Sequence, residues 1–365
     1  MSRVALLAAG GSGGHIFPAQ ALAEELRERG WTVHLATDGR AERFAGAFED
    51  DRVHVVPSAT FSKNPLKLLK AMARLWKGYG VARALLTQLR PSVVVGFGGY
   101  PSFLPVFAAG RAGLPTLIHE ANAVLGRANK ALAGRVDAIA MGFPLASPQS
   151  YGGKLTVTGN PVRRSVVEAA NTAFVPPAAD EPFRLLVFGG SQGAQFFSDV
   201  MPQVVGGLPF ELGERLRVTQ QARPEDEEDL RRWYAENEIE AEIAPFFSDM
   251  ATRLAAAHLV ISRAGASTVT ELAVVGRPAV LVPYPHALDH DQATNAKAIA
   301  DAGGVQVMAQ SDASPEALRE FLMGVMAEPK RLEAMASAAR STASPDAARL
   351  LADRCEAIAS LTSDG

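Results

Sequence analysis

A chain of 365 residues is too long for one small core and predicts about two domains. With 48% hydrophobic and 21% charged residues it has globular composition, and its single cysteine, Cys355, excludes an internal disulfide, a cysteine-based zinc site and an iron–sulfur cluster. The net charge of −3 divides into +10 over residues 1–165 and −13 over the remainder, so the first half is expected to face an anionic partner: nucleic acid, a membrane surface or a phosphorylated substrate.

Short apolar runs alternate with longer amphipathic segments along the chain, which predicts parallel sheets covered by helices on both faces. The first run, residues 4–9, leads directly into glycines and indicates a buried strand, not a signal peptide. No apolar run reaches about 18 residues, so no membrane-spanning helix is expected. The other strands predicted in the first half are 32–36, 53–56, 93–97, 116–119 and 138–141, with helices such as 18–29 and 66–89 between them.

A polar, proline-rich stretch over residues 168–182 predicts a linker, after which the alternation restarts. The sequence therefore predicts an α/β protein with two Rossmann-like domains, residues 1–164 and 165–344, whose parallel sheets face each other across a cleft. A helical tail follows, and its last segment, about residues 345–365, is a candidate to pack back on the first domain. The strands predicted in the second half are 184–188, 216–219, 241–245, 259–262, 279–282 and 305–308.

Two glycine-rich turns end the first strands of the two halves: Gly10-Gly-Ser-Gly-Gly-His15 and Gly189-Gly-Ser-Gln-Gly-Ala194. A strand, a glycine turn and a helix N-terminus together present backbone N–H groups and a positive dipole end to an anion. Neither turn has the G-x-G-x-x-G pattern of dinucleotide-binding proteins, and the chain has no P-loop pattern. The alternative is that these glycines only permit tight turns.

A third strand-to-helix turn, Ser262–Glu271, has small residues that leave room for a ligand at the helix start. The carboxylate of Glu271, about one turn into the helix, could accept two hydrogen bonds from a ribose diol. Helix capping with an acidic residue in the first turn is the alternative.

His15 is the best candidate for a catalytic general base. It stands at the start of the first helix, where the helix dipole lowers its pKa and favours the neutral imidazole. A base near neutral pH could take the proton from an acceptor hydroxyl. Binding a phosphate through a ring N–H is the alternative, and His119 and Glu120 are competing bases, although Glu120 is also a candidate for a structural role.

Residues 61–90 contain seven Lys or Arg and no acidic residue, and their apolar residues recur at intervals of three and four. A basic amphipathic helix with Trp and Tyr suits an anionic membrane surface. The alternative is a helix that packs within the domain and has a solvated cationic face. The predicted membrane contacts are Lys67, Leu69, Lys70, Met72, Arg74, Trp76 and Lys77.

Seven motifs, taken together, resemble one family in their order and spacing over about residues 4–300: the MurG family of GT-B glycosyltransferases. The resemblance implies an inverting transfer of N-acetylglucosamine (GlcNAc) from UDP-GlcNAc to the 4-hydroxyl of N-acetylmuramic acid (MurNAc) in undecaprenyl-pyrophosphoryl-MurNAc-peptide (lipid I), giving lipid II for peptidoglycan. It also implies a peripheral enzyme at the cytoplasmic face of an anionic bacterial membrane, with no cofactor, no nucleic-acid partner, and other cell-wall synthesis proteins as candidate partners. The motifs begin at Gly10, Gly98, His119, Gly159, Gly189, Ser262 and Asp291.

The resemblance implies that the donor lies mostly on the second domain. Glu271 would bind the ribose, Phe247 would lie at the uracil and Gln292 would bind the GlcNAc, while Asn122 would reach the sugar from the first domain. The other residues implied in binding the donor or the phosphates are Ser12, Gly13, Gly14, Arg163, Ser191, Ala266, Ser267, Thr268, Val269 and Thr270.

The chain departs from the family pattern at three positions: Ser12 replaces a Thr, Ala121 replaces a Gln, and Asp291 replaces a Gln beside Gln292. Asp289-His-Asp291 resembles the D-x-D metal motif of another glycosyltransferase architecture, but dipoles and arginines can serve the diphosphate in the GT-B fold, so no metal is expected. Two other functions are considered. One is a UDP-GlcNAc 2-epimerase, which shares the fold, and the other is an RNA-binding protein, which is disfavoured because no recognition motif is present.

Overall fold

The computed structural model describes residues 3–10, 13–38, 48, 52–59, 65–145, 151–190, 193–287 and 291–360, without the side chains of residues 65–69. The chain divides into two compact units. Unit 1 comprises Met1–Arg163 and Pro345–Gly365, and unit 2 comprises Arg164–Ser344. The boundary between the units falls one residue before the boundary predicted from the sequence.

Unit 1 is built on a parallel sheet with the strand order β3-β2-β1-β4-β5-β6-β7 among the described residues. The strands are β1 (Val4–Ala8), β2 (Thr32–Thr37), β3 (Val53–Val55), β4 (Val93–Gly96), β5 (Thr116–Glu120), β6 (Ala138–Met141) and β7 (Leu155–Val157). The helices are α1 (Gly13–Glu28), α2 (Pro65–Leu89), α3 (Tyr100–Arg111), α4 (Arg127–Leu132) and, at the end of the chain, α14 (Ala347–Ser360).

The central strands of this sheet are buried on both faces, which explains their continuous apolar runs. On one face Leu7 and Val95 pack with α1 and α14; on the other, Leu6 and Val94 pack with α2 and α3. The apolar runs in the sequence therefore correspond to strands that lie in the hydrophobic core. Among the described helices, none is long and apolar enough to cross a membrane.

The tail helix α14 packs on α1 and belongs to unit 1. Leu351 and Cys355 are buried there, and burial raises the pKa of the Cys355 thiol to about 12. At the rim of this contact the Arg29 guanidinium donates to Asp353 at 2.7 Å and to Glu356 at 2.9 Å. Burial and this short ion-pair network fix the tail helix to the first domain.

Unit 2 has a second parallel sheet with the order β10-β9-β8-β11-β12-β13 among the described residues. Its strands are β8 (Phe183–Phe188), β9 (Leu216–Gln221), β10 (Ala241–Ala244), β11 (Leu259–Ser262), β12 (Ala279–Leu281) and β13 (Val305–Val307). Its helices are α5 (Arg164–Ala169), α6 (Gln195–Gly206), α7 (Phe210–Gly213), α8 (Glu227–Glu236), α9 (Met250–Ala256), α10 (Ala266–Val275), α11 (Asp291–Asp301), α12 (Pro315–Ala327) and α13 (Pro329–Ser341).

The six strands of the unit 2 sheet follow the same order as the first six of unit 1, where β7 adds one edge strand, and this confirms the prediction of two Rossmann-like units. In each, the first strand lies in the middle and the order reverses beside it, at β1 between β2 and β4 and at β8 between β9 and β11. Ligands of such sheets bind outside the carboxyl ends of the strands at this reversal. A ligand site is therefore expected at the carboxyl edge of each sheet.

Arg277 lies at the opposite, amino edge of the unit 2 sheet, two residues before β12, and is 1% exposed. Its guanidinium donates to the carbonyls of Ala255, Val275, Gly276 and Thr172, which lie at or just beyond the ends of α9, α10 and α5. A cation at these helix ends satisfies carbonyls that have no partner within the helices and opposes the helix dipoles. Burial and the neighbouring Arg340 lower the pKa of Arg277 to about 10, so the side chain stays charged at neutral pH.

Candidate active site

At the carboxyl edge of the unit 1 sheet, the first turn of α1 places His15 against the backbone of Gly98 and Gly99. Nδ1 of His15 lies 3.1 Å from the carbonyl oxygen of Gly10. Since a carbonyl only accepts hydrogen bonds, Nδ1 carries the proton and Nε2 of the neutral ring carries the lone pair. The geometry therefore sets the tautomer that a base acting through Nε2 requires.

The glycines beside His15 are required by the backbone and by space. Gly98 and Gly99 have φ values of 86° and 74°, in the left-handed region. A Cβ atom on Gly98 would lie 3.2 Å from Nε2 and Cδ2 of His15. The Gly98-Gly99 pair therefore lets the imidazole lie directly on the main chain.

The pKa of His15 lies below its ordinary value. Burial is the largest cause, and it outweighs the Glu120 carboxylate and the hydrogen bond to the Gly10 carbonyl, both of which raise the pKa. The sequence predicts this direction from the helix dipole, whereas in the structure burial is the main cause. His15 is therefore neutral at pH 7 and able to accept a proton.

Glu120, at the end of β5, is buried and holds the loop that follows it. Its Oε1 accepts hydrogen bonds from the backbone N–H and the side-chain Nδ2 of Asn122, at 3.1 and 3.0 Å. Its Oε2 accepts from the N–H of Gly126 and from Nδ2 of Asn129, both at 2.9 Å. Both carboxylate oxygens accept hydrogen bonds from the loop and α4, which favours the structural alternative for Glu120 over the catalytic one.

His119 is fully buried and packs on the ring of Phe97, with the ring centroids 5.5 Å apart. Its Nε2 donates to the carbonyl of Gly159 at 3.4 Å, and burial lowers its pKa to about 4. A side chain with no exposed surface is not positioned to reach an acceptor hydroxyl, which favours a structural role for His119. Of the three bases that the sequence proposes, His15 has the most suitable geometry.

Three further predicted residues lie in this part of unit 1. Gly13 and Gly14 begin α1, so they belong to the first helical turn and not to a preceding loop. The guanidinium of Arg163 lies 4.2 Å from the centre of the Phe17 ring, also in α1. Ser12 lies outside the described residues.

In unit 2, the turn after β8 is tight enough to require glycine. A Cβ atom on Gly189 would lie 2.3 Å from the backbone nitrogen of Ala194. The N–H of Gly189 donates inward to Oε1 of Gln221 at 3.1 Å, so this N–H does not point outward to a ligand as the sequence predicts for the turn. Ser191, the predicted contact in this turn, lies outside the described residues.

The loop after β10 exposes a different aromatic ring from the one predicted at the uracil. The side chain of Phe247 is buried and lies under the guanidinium of Arg253, 4.2 Å from the ring centre. The side chain of Phe246 is 55% exposed. The ring of Phe247 therefore packs inward, and the accessible ring of this loop is that of Phe246.

The start of α10 provides part of the predicted donor site. The hydroxyl of Ser267 is buried and, within the described residues, has no hydrogen-bond partner, while Thr268 is half-buried. Ala266 and Glu271 are buried. Val269 and Thr270 are turned into the protein, and the Thr270 hydroxyl donates to the Ala266 carbonyl at 2.9 Å, so their side chains do not line the helix surface.

Gln292 lies in the first turn of α11, where its Oε1 accepts a hydrogen bond from the backbone N–H of Tyr284 at 2.9 Å. This bond fixes the side chain beside the loop that follows β12. In the described part of the chain, no three His, Cys, Asp or Glu side chains lie close enough together to hold a metal ion. Asp289 of the D-x-D motif lies outside that part, and Asp291 is the first residue of α11.

The basic helix α2 has two faces with different roles. Leu75 and Tyr79 are half-buried and pack against the core of unit 1. Trp76 is 73% exposed, and nearly half of the Met72 surface is also exposed. The single apolar stripe predicted from the sequence is therefore divided between the core and the surface. The exposed face also carries the basic residues Lys70, Arg74 and Lys77, whereas the side chains of Lys67 and Leu69 lie outside the described residues.

Gln221 and Asn129 are residues of the candidate site that the sequence analysis does not identify. Gln221 joins the turn after β8 to the loop after β10, because its Nε2 also donates to the carbonyl of Pro245 at 3.1 Å. Asn129 joins α4 to the end of β5 through the His119 carbonyl and Glu120. The available signal for Gln221 is the polar pair Gln220-Gln221, which ends a strand in a buried sheet.

Comparison with known proteins places this geometry among sugar-transferring enzymes. Residues 5–141 match the glycosyltransferase family 28 N-terminal domain and residues 184–351 match the glycosyltransferase family 28 C-terminal domain. The chain is 59% identical over 358 residues to the UDP-N-acetylglucosamine–N-acetylmuramyl-(pentapeptide) pyrophosphoryl-undecaprenol N-acetylglucosamine transferase of Brucella canis, covering 98% of this chain and 94% of the relative. The enzyme of the same name from Chelativorans is 58% identical over 359 residues, covering 98% and 96%.

Among solved structures, MurG of Acinetobacter baumannii is similar to this chain with a TM-score of 0.76 and 31% identity, covering 97% of this chain and 99% of that one. A UDP-GlcNAc 2-epimerase from Neisseria meningitidis, solved with UDP-GlcNAc, has a TM-score of 0.63 but only 11% identity, over 97% and 99% of the two chains. At that identity the likeness to the epimerase concerns the fold alone.

Proposed function

Because this chain belongs to the MurG family within glycosyltransferase family 28, we propose that it transfers GlcNAc from UDP-GlcNAc to the MurNAc 4-hydroxyl of undecaprenyl-pyrophosphoryl-MurNAc-pentapeptide. The products are the β-linked disaccharide on the lipid carrier and UDP. The observation that carries the proposal is the 59% identity over 98% of the chain to an enzyme named for this reaction. The neutral His15, whose Nε2 carries the lone pair at the carboxyl edge of a sheet, supports the proposal because this geometry suits a general base.

In the proposed mechanism, Nε2 of His15 takes the proton from the acceptor 4-hydroxyl. The oxygen forms a bond to the anomeric carbon of GlcNAc as the bond from that carbon to the UDP oxygen breaks. Attack from the face opposite the leaving group inverts the configuration, and UDP departs with the bonding electrons. Nδ1–H of His15 stays bonded to the Gly10 carbonyl and keeps the ring oriented while Nε2 becomes protonated.

Unit 2 is proposed to bind the donor at the carboxyl edge of its sheet. The N-termini of α6 and α10, which follow the turns after β8 and β11, suit a diphosphate, since a helix N-terminus presents backbone N–H groups and a positive dipole end. The buried hydroxyl of Ser267 would gain a partner from the ligand. Glu271 is proposed to accept hydrogen bonds from the ribose hydroxyls, Gln292 to contact the GlcNAc, and Phe246 with the backbone of Phe247 to cover the uracil.

Glu271→Ala should weaken UDP binding at least tenfold. Two hydrogen bonds to a charged acceptor are lost, and each such bond contributes about 1.5–3 kcal/mol. Calorimetric titration with UDP measures the change directly. Glu333→Ala, at an exposed carboxylate on α13, is the matched control and should bind UDP as the unchanged protein does. Unaltered UDP affinity in folded Glu271→Ala would remove Glu271 from the donor site.

The epimerase alternative differs from the transferase in its need for an acceptor. A transferase releases UDP from UDP-GlcNAc in proportion to the added lipid acceptor, whereas a 2-epimerase inverts C2 of the sugar with no acceptor present. Measuring UDP release and C2 epimerisation with and without a lipid I analogue separates the two. Acceptor-dependent UDP release without epimerisation is the expected result.

We infer that the exposed face of α2 brings the enzyme to the cytoplasmic surface of an anionic membrane, where an undecaprenyl-linked acceptor must remain. Trp76 and Met72 are exposed, and Lys70, Arg74 and Lys77 surround them. An aromatic and a flexible apolar side chain among cations suit the interface between lipid headgroups and acyl chains. No acidic residue lies between Asp51 and Glu120 to oppose the attraction.

Changing Lys70, Arg74 and Lys77 to Glu should abolish sedimentation with anionic vesicles. Each basic group near an anionic leaflet contributes about 1 kcal/mol, and the reversal replaces attraction by repulsion. UDP binding and activity on a short-chain, water-soluble acceptor should be retained. High salt should weaken the binding of the unchanged protein, because exposed charges are screened beyond about 10 Å at 0.1 M.

The matched control changes Arg111, Lys130 and Arg135 to Glu, which alters the net charge of unit 1 by the same amount at exposed residues outside α2. This control should keep most of the vesicle binding. Equal loss in both variants would indicate a non-specific effect of net charge, and retained binding in the α2 variant would leave α2 with its packing role alone.

A further inference from the structure

Gln221 connects two parts of unit 2 that are far apart in sequence. The side chain is 4% exposed and lies at the carboxyl end of β9. Its Oε1 accepts from the N–H of Gly189, in the turn after β8, and its Nε2 donates to the carbonyl of Pro245, in the loop after β10, both at 3.1 Å. One buried amide therefore ties both neighbouring turns to the strand between them.

The residues that follow Gln221 strengthen the same link. The N–H of Ala222 donates to the carbonyl of Ala244 at 3.1 Å, which extends the pairing of β9 with β10 to the start of the loop. Gly193, with φ of 70°, packs against Arg223, and a Cβ atom there would lie 3.0 Å from Cγ of Arg223. Both turns are thus supported from the end of β9.

The preceding residue, Gln220, provides a natural contrast. It is fully buried on the opposite face of the same strand, where Nε2 donates to the Phe197 carbonyl at 3.1 Å and Oε1 accepts from the Tyr234 hydroxyl at 2.8 Å. Gln220 thus joins two helices in the core, and among the described residues its side chain forms no hydrogen bond to either turn. The two residues have the same chemistry and similar burial but different partners.

We propose that Gln221 is a positioning residue for donor binding, which fixes the turn after β8 relative to the loop after β10. This rests on the proposed function, which assigns the diphosphate to the first and the uracil to the second. The spacing between two turns must match the spacing between the two ends of a nucleoside diphosphate. A side chain that fixes this spacing lowers the entropy that must be lost when the site becomes ordered on binding. It also favours one nucleobase over another.

The test compares Gln221→Met with Gln220→Met by calorimetric titration with UDP and ADP, and by steady-state kinetics with UDP-GlcNAc and a soluble lipid I analogue. Both variants leave buried backbone or hydroxyl groups without a partner, so both should unfold at a lower temperature. Gln221→Met should weaken UDP binding and raise the KM for UDP-GlcNAc by about tenfold, while the KM for the acceptor changes less than about twofold. Its preference for UDP over ADP should also fall.

Gln220→Met should keep UDP affinity, the KM for UDP-GlcNAc and the preference for UDP within about twofold of the unchanged protein. Gln221→Glu keeps an acceptor for Gly189 but loses the donor to Pro245, so its UDP affinity should lie between those of the Met variant and the unchanged protein. Gln221→Glu replaces Gln221→Met in the comparison if the Met variant does not fold.

UDP affinity that is unchanged in the Gln221 variants, or that falls equally in Gln220→Met, would overturn the positioning role. Calorimetry with UDP does not depend on sugar transfer. An unchanged protein that binds UDP but transfers no GlcNAc would therefore contradict the proposed function. The UDP affinities of the Gln221 and Gln220 variants could still be compared in that case.

Discussion

Replacing His15 with alanine should lower the rate of GlcNAc transfer by about 10²–10⁴, the range that a positioned general base contributes. Nε2 of His15 carries the lone pair because Nδ1–H is bonded to the Gly10 carbonyl, so the loss removes the proton acceptor itself. UDP affinity should change little, since the proposed UDP contacts lie on unit 2. Single-turnover transfer to a soluble lipid I analogue measures the chemical step, and calorimetry measures the UDP affinity.

The pH dependence provides an independent check on the same residue. Burial lowers the pKa of His15, so the base stays unprotonated to a lower pH than an exposed histidine would. The kcat/KM of the unchanged protein should therefore hold from neutrality to below the ordinary pKa of about 6.5 and fall only as the pH drops through the lowered value. The kcat/KM of His15→Ala should lack this fall at acidic pH. A variant that loses UDP affinity while its chemical step is spared would identify His15 as a binding residue.

Replacing Arg277 with methionine should destabilise unit 2 by about 4 kcal/mol. Carbonyls of Ala255, Val275, Gly276 and Thr172 lose their donor in the interior, and a buried group left without a partner costs about 1–3 kcal/mol. For a unit of this size the unfolding transition should shift down by about 10 °C in scanning calorimetry. UDP affinity at low temperature should be retained, because Arg277 lies at the amino edge of the sheet.

Two variants show whether the effect comes from the buried hydrogen bonds. Arg340→Met removes an exposed neighbouring cation and should change stability by less than about 0.5 kcal/mol. Arg277→Lys keeps the charge but cannot reach all these carbonyls from one ammonium group, so its transition should lie between those of Arg277→Met and the unchanged protein. Equal unfolding temperatures in Arg277→Met and Arg340→Met would show that the hydrogen bonds of Arg277 contribute nothing to stability beyond its charge.

Apolar runs were sufficient to predict most strands, because strands buried on both faces leave a continuous hydrophobic signal. The edge strand β7, Leu155–Val157, carries no such signal, since it is short, not buried, and contains a threonine. The start of α1 was also misplaced: glycines suggested a loop, yet the helix begins at Gly13, five residues before the predicted start at Pro18. Tertiary packing overrides the low helix propensity of glycine at this position.

Residues of the candidate site could be predicted where chemistry and position coincide, as at His15 at a helix start after a strand. Which of two adjacent aromatic residues faces outward depends on packing around Arg253, so the sequence could not distinguish Phe246 from Phe247. The carboxylate of Glu120 has the chemistry of a base, and the structural alternative is favoured only once its four hydrogen-bond donors are located. Gln221 was missed for the same reason, because its partners are distant in sequence.

Transfer of radiolabelled GlcNAc from UDP-GlcNAc to a lipid I analogue is the most direct test of sugar transfer to a lipid-linked acceptor. The label should appear in a β-linked disaccharide on the lipid, with one UDP released for each sugar transferred, and His15→Ala should form this product at least about a hundred times more slowly. Label that remains in nucleotide sugar, or is converted there to the C2 epimer with the acceptor present, would contradict the proposed function.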